Sequence, residues 1–198
     1  MAGALKLQYI LYTAFRLSPF IIVCFFSLSS ILNQDLKGII YLAGLLFSCF
    51  FAVIVGAHNT FSSIIDDNSQ KDAICNAISL TESGRLSNLP LSMVVFSYTF
   101  FYLVDIIAKY NLASQNIPTL ILFPLLIIGD YIWNNTYNCA TIMQLIAAFG
   151  IGSVTGWIWS MIIRSTGVVQ LQYFNGVSNS QSCSRPSRQM FKCKQSTA

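Results

Sequence analysis

Charge is what this sequence has least of: 9% of its 198 residues are Asp, Glu, Lys or Arg, against roughly 25% in soluble domains. So few charged side chains cannot clothe a water-facing globule, which excludes the ordinary soluble class. Histidine is scarcer still, with His58 alone in the chain. One imidazole builds no Ser/His/Asp or Cys/His grouping, and membrane phosphatases, proteases and acyltransferases use several histidines or paired aspartates. The expectation is a protein without enzymatic activity, with no catalytic residue, no cofactor and no metal site. Asp66-Asp67-Asn68 with Asp72 lacks the ligand spacing of an EF-hand and reads as a solvated acidic loop. No nucleic-acid partner is expected. Internal repeats are missing, and the length suits one domain. No cleavable leader is expected: Arg16 and Pro19 interrupt the first apolar run and no clear small-x-small site follows, so the segment is expected to be retained.

What is present is apolar surface, 55% of the residues, gathered in long runs separated by short polar stretches. That pattern predicts an all-α fold, a polytopic transmembrane helical bundle over residues 1–164 with a polar, basic soluble tail over 165–198. About five spans are expected, near 7–32, 39–57, 89–108, 119–133 and 140–163. The first contains Pro19, which predicts a kink near Phe15–Pro19; in the alternative reading Ser18 caps a new helix and residues 4–16 lie in the interface. Asn33-Gln34-Asp35-Leu36-Lys37-Gly38 is a tight turn that makes an antiparallel hairpin of the first two spans. Residues 59–88 form the longest internal polar stretch, within which Ala73 to Leu80 suits a short surface helix. Asn88 and Pro90 signal the start of the third span. The fourth is short and carries Pro124 and Asp130; were it re-entrant, four spans would remain. Trp157, Trp159 and Arg164 at the end of the fifth suit an interfacial anchor.

Five spans put the termini on opposite sides. Lys6, Lys71 and Arg85 fall on the N-terminal side, with Arg16 ambiguous, and Lys37, Lys109, Arg164, Arg185, Arg188, Lys192 and Lys194 on the other. By the positive-inside rule the tail is expected to be cytoplasmic. The sequon Asn134-Asn135-Thr136 then lies outside, too close to the membrane for ready use. Cys24 and Cys49 sit inside spans as small apolar residues. Cys75 and Cys139 share the outer side, where pairing is open to them. Cys183 and Cys193 lie ten residues apart in the tail: free thiols if that compartment is reducing, a disulfide if the topology is inverted or an oxidising assembly route exists.

Ala148, Gly152, Gly156 and Ser160 recur every four residues in the last span and form one stripe of small side chains. Such a stripe admits a second helix backbone at close range, in this chain or in another copy. Among ionisable groups near the membrane are Arg16, His58, Asp105, Lys109 and Asp130, which are functional candidates by default. Asp105 and Lys109, four apart, suit a local pair at a span end, and Asp130 or Arg16 suits a cross-helix pair.

The tail interleaves Arg185, Arg188, Lys192 and Lys194 with Met190 and Phe191 and holds no acidic residue. Unpaired cations there point to an external anion, either lipid headgroups or a protein partner; a solvated, disordered end is the simpler alternative. The run from Gln144 to Lys194, with Gly152-Ser153-Val154-Thr155-Gly156-Trp157, Arg164-Ser165-Thr166-Gly167, Leu171-Gln172-Tyr173-Phe174-Asn175 and Cys183-Ser184-Arg185-Pro186, resembles uncharacterised small integral membrane proteins of large double-stranded DNA viruses. The resemblance covers the last quarter of the chain. It implies a protein of a virion inner membrane whose tail meets capsid proteins, and an assembly route able to oxidise tail cysteines. The leading functional expectation is a non-enzymatic structural membrane protein that packs through its last span and contacts a partner through its tail. A small channel or transporter component is the alternative.

Overall fold

The computed structural model describes residues 2–57, Cys75 and 88–167, with side chains from Leu17 onward. Five α-helices and no strand occur among the described residues: α1 (Ala2–Leu32), α2 (Lys37–Ala57), α3 (Leu91–Lys109), α4 (Ile117–Thr136) and α5 (Ile142–Ser165). The all-α bundle expected from the hydropathy pattern is the fold. Helices α2 to α5 are each long and apolar enough to cross a membrane, and α1 contributes a shorter apolar stretch, Leu17–Leu32. The chain is a multi-pass membrane protein. The acidic residues Asp66, Asp67 and Asp72, the expected 73–80 helix (apart from Cys75), His58 and the whole tail from residue 168 lie outside the described residues.

Helix α1 runs unbroken through Pro19 for 31 residues, so no new helix starts at Ser18. At ~1.5 Å per residue it is about 46 Å long, more than the ~30 Å hydrocarbon core, and it must tilt or project beyond it. Its C-terminus closes on a tight turn in which Gln34 takes a left-handed φ of 53°. Ser30 staples that turn, its hydroxyl donating to the Asp35 carbonyl while it accepts from the Gly38 amide at 3.1 Å. A Cβ at Gly38 would fall 2.6 Å from the Ser30 Cβ and against the Phe26 carbonyl. Glycine is what lets α2 start so close to α1.

The third span begins at Leu91 without a side-chain cap. Asn88, expected as part of its start signal, instead donates from Nδ2 to the Gly56 carbonyl at 2.9 Å. The last carbonyls of a helix have no partner of their own, so the asparagine serves the end of α2 rather than the start of α3. The fourth span is longer than its expected 119–133, with 20 residues, about 30 Å, enough to cross. Pro118 lies in the first turn, where no amide donor is required, and Trp133-Asn134-Asn135 continue the last turn. Helix α5 opens with a reciprocal capping box: the Gln144 amide donates to Thr141 Oγ1 at 3.3 Å and the Thr141 amide to Gln144 Oε1 at 2.9 Å.

Helix α3 is the axis of the bundle and touches all four others. Eleven of its 19 residues are buried, against three of 20 in α4. One core cluster joins Phe26, Tyr41, Leu45, Tyr98, Tyr102, Leu103 and Phe123. A second joins Ala52, Leu89, Met93, Val94, Leu145 and Ala148 at the opposite end of α3. Phe20 and Phe25 of α1, Phe47 and Phe50 of α2, Leu125 of α4 and Ile146 of α5 face outward, as side chains bathed in lipid do.

Candidate functional site

Because α4 returns the chain across the membrane, α3 and α5 run parallel and in contact along their lengths. The stripe Ala148, Gly152, Gly156 and Ser160 is buried in that contact. A Cβ at Gly152 would lie 2.6 Å from the Val94 carbonyl oxygen and against the Ser97 hydroxyl, and one at Gly156 would meet the Tyr98 backbone. The stripe's partner is therefore α3 of the same chain, and the last span spends its small residues on the fold rather than on a second copy.

Continued by four residues, the stripe reaches Arg164. The close approach brings Ser160 Oγ to Asp105 Oδ2 at 2.7 Å and Arg164 Nη1 to the same oxygen at 3.1 Å. Asp105 thus turns across to α5 rather than along its own helix to Lys109, which corrects the expected local pair. The reason is geometric: glycine at 152 and 156 sets the two helices close enough for a guanidinium to reach the carboxylate. The pair is partly sheltered, with side-chain exposures of 32% for Arg164 and 13% for Asp105, and the bond is charge-assisted. Beside it a groove of about 470 Å³ is lined by Phe101, Val104, Asp105, Ala108, Ser153, Val154 and Trp157. Phe149 meets Phe101 edge-on at 5.9 Å between ring centres. No family model, curated protein or solved structure matches this chain. What the site can do must come from its own geometry.

In the centre of the bundle, hydroxyls bridge helices. Thr99 Oγ1 donates to the Val95 carbonyl at 2.6 Å, so in its 2.7 Å bond with the Tyr41 hydroxyl it accepts. The Tyr98 hydroxyl in turn donates to the Tyr41 carbonyl at 3.3 Å. Between α2 and α5, Ser48 and Thr155 share a 2.6 Å bond, and Thr155, already donating to Ile151 at 2.7 Å, is its acceptor. None of these pairs follows from spacing along one helix. Tyr41→Phe and Thr99→Val combined in a double-mutant cycle are expected to show a coupling of about 0.6 kcal/mol, with ~1.7 kcal/mol as the ceiling for such bonds in a membrane. Unfolding in mixed micelles measures it, and zero coupling would mean that the bond adds nothing to stability.

Trp159 departs from its expected place in an interfacial belt. Its indole Nε1 donates to the Ile40 carbonyl at 3.1 Å, and the ring lies where a Cβ at Gly44 would come within 2.5 Å of it. Trp157, 47% exposed, keeps the outward place. At the other end of the bundle Asp130 is buried and accepts from Ser92 Oγ at 3.1 Å, a cross-helix contact. The sequon asparagine Asn134 is buried and donates its Nδ2 to the Asp130 carbonyl at 2.8 Å. That is the nitrogen a glycan would need, so the site is closed to modification in the folded chain. Near it, Cys75 and Cys139 form a disulfide, and Cys24 and Cys49 are free thiols within α1 and α2. The side chain of Arg16, the tail cysteines Cys183 and Cys193, and the tail cations Arg185, Arg188, Lys192 and Lys194 lie outside the described residues.

Proposed function

We propose that the chain is a non-enzymatic structural protein of its membrane, in which the helical bundle is a fixed anchor and the basic tail is the contact with a protein partner. The observation that carries this reading is the filled centre of the bundle. Tyr41, Tyr98 and Tyr102 pack ring against ring, with Tyr41 and Tyr98 centred 5.7 Å apart and Phe26 4.6 Å from Tyr41. The central hydroxyls described above are spent on one another and on backbone carbonyls, which favours a solid anchor over a channel or transporter component. Reconstituted liposomes give the test: no ion flux above protein-free vesicles is expected, and a saturable flux would defeat the anchor reading.

The tail is assigned to the cytoplasmic side by the charge count, and the disulfide agrees with that assignment where the bridge forms in an ordinary oxidising compartment rather than by a viral assembly route. Cys75 precedes α3 and Cys139 precedes α5, so the bridge lies at the end of the bundle away from Arg164 and the tail. Disulfides persist in oxidising compartments, which suits an external face there. The resemblance of the last quarter to membrane proteins of large double-stranded DNA viruses supports placing the chain in a virion inner membrane, with capsid proteins as the partners of the tail.

Replacing Arg185, Arg188, Lys192 and Lys194 by Gln is expected to leave insertion and bundle stability unchanged and to abolish the tail's cross-links in the native membrane. The contact should weaken as salt rises, since screening shortens to ~8 Å at physiological ionic strength and further above it. Cross-links that survive the substitution at every salt concentration would make the tail a passive end. Loss of wild-type cross-links on replacing anionic by neutral lipid would identify headgroups, not a protein, as the anion.

A further inference from the structure

We propose that the groove between α3 and α5 is a binding site for one phospholipid bearing a primary ammonium headgroup, of the phosphatidylethanolamine class. The groove opens on the lipid-facing side of the bundle, where Val154 and Trp157 are exposed, and Phe101, Val104 and Trp157 give it an apolar wall. Its volume of about 470 Å³ is within the ~300–1,000 Å³ usual for ligand sites. A lipid-facing groove of this kind would hold an acyl chain of any phospholipid. Asp105 is what makes it selective.

A carboxylate on the wall of a lipid-facing groove is costly unless its charge is met. Among the described residues both bonds to Asp105 end on Oδ2, from Ser160 and Arg164. Oδ1 retains its acceptor capacity. Arg164 likewise uses Nη1 on Asp105, with four further guanidinium N–H donors and a third of its side-chain surface exposed. The pair therefore offers a negative edge and a positive edge a few ångströms apart, with no net charge. Its complement is a zwitterion: an ammonium donating to Asp105 Oδ1 and a phosphate accepting from Arg164. A choline headgroup has no N–H to donate, and an anionic headgroup without an ammonium leaves Oδ1 unmet. Position agrees with charge, because Asp105 and Arg164 lie in the last turns of α3 and α5, at headgroup depth, while Phe101 and Ser153 lie one to three turns deeper.

Trp157 lines the groove and reports on its contents. The full chain is reconstituted in phosphatidylcholine vesicles containing a small, equal mole fraction of either phosphatidylethanolamine or phosphatidylcholine brominated on its acyl chains. The Trp157 contribution is the quenching lost in a Trp157→Phe protein. One charge-assisted hydrogen bond worth about 1.5 kcal/mol gives roughly tenfold stronger quenching by the brominated ethanolamine lipid. Asp105→Asn should reduce that preference to parity while quenching by the choline lipid persists. Ala108→Phe, which fills the groove and removes neither member of the ion pair, should remove the preference in a protein whose disulfide and thermal unfolding are unchanged, so the test survives if Asp105→Asn does not fold. Equal quenching by the two lipids in the wild-type chain would mean ordinary annular lipid only and would overturn the proposal. A preference that persists in folded Ala108→Phe would overturn it as well, by placing the lipid elsewhere.

Discussion

Gly152→Leu and Gly156→Leu are each expected to destabilise the bundle by more than ~3 kcal/mol, beyond the usual cost of overpacking a core. Overpacking is ordinarily relieved by neighbouring side chains that rotate away. Here a new Cβ would meet backbone as well as the Ser97 hydroxyl, which alone could rotate away: the Val94 carbonyl oxygen at 2.6 Å and the Tyr98 amide nitrogen at 3.0 Å for position 152, the Tyr98 carbonyl and its Cα at 3.1 Å for position 156. Only separation of α3 from α5 relieves the clash. Separation would also lengthen the bonds from Ser160 and Arg164 to Asp105, now at 2.7 and 3.1 Å, so the loss extends beyond the mutated turn. Gly150 supplies the control within the same helix, because a Cβ there meets nothing within 4 Å; Gly150→Leu should stay within about 0.5 kcal/mol. Equilibrium unfolding in detergent measures all three. If Gly150→Leu costs as much as Gly152→Leu, something other than close packing sets the stability of α5, and if none of the three matters the stripe has no role in it.

How much of this was legible beforehand follows from one property of membrane helices. Hydropathy locates them, since length and apolar content are written in the chain, and a stripe of small residues is visible as a repeat of four. Hydropathy does not orient them, because the side chains facing lipid are as apolar as those facing the core: Phe47 and Phe50 of α2 are exposed while Tyr41 and Ser48 of the same helix are fully buried. Cross-helix pairs such as Ser48–Thr155, 107 residues apart, leave no local signal. Asp105 illustrates the error this produces. Read along the sequence, its natural partner is Lys109 on the next turn; in three dimensions the glycine stripe delivers Arg164 from another helix. The Thr141–Gln144 capping box, by contrast, leaves a local signal, T-x-x-Q before an apolar run, that the expected span of 140–163 did not use, and it marks the start of α5 better than hydropathy does.

Cys75→Ser, Cys139→Ser and the double substitution are expected to destabilise the bundle by the same amount, about 2–4 kcal/mol. The bridge spans a sequence separation of 64, for which the chain-entropy estimate is about 4 kcal/mol. That is an upper value, because α3 and α4 lie within the closed loop and stay helical in the membrane even when they are unpacked, which shortens the free chain. Equality of the three variants is the sharper expectation: once the bridge is gone a second serine removes nothing more, so the double variant should match either single one. The free thiols Cys24 and Cys49 sit inside spans and cannot substitute for the missing partner. Reductant added to the wild-type protein should reproduce the loss, and in sealed cells an impermeant reductant should do so from outside if the bridge faces that compartment. Opening the bridge only after the membrane is permeabilised would place this end of the bundle in the cytoplasm and reverse the orientation inferred from the lysines and arginines. Three variants of unchanged stability would mean instead that the packing of Leu89, Met93, Ala140 and Leu145 already holds the two cysteine segments together, and that the bridge follows folding rather than supporting it.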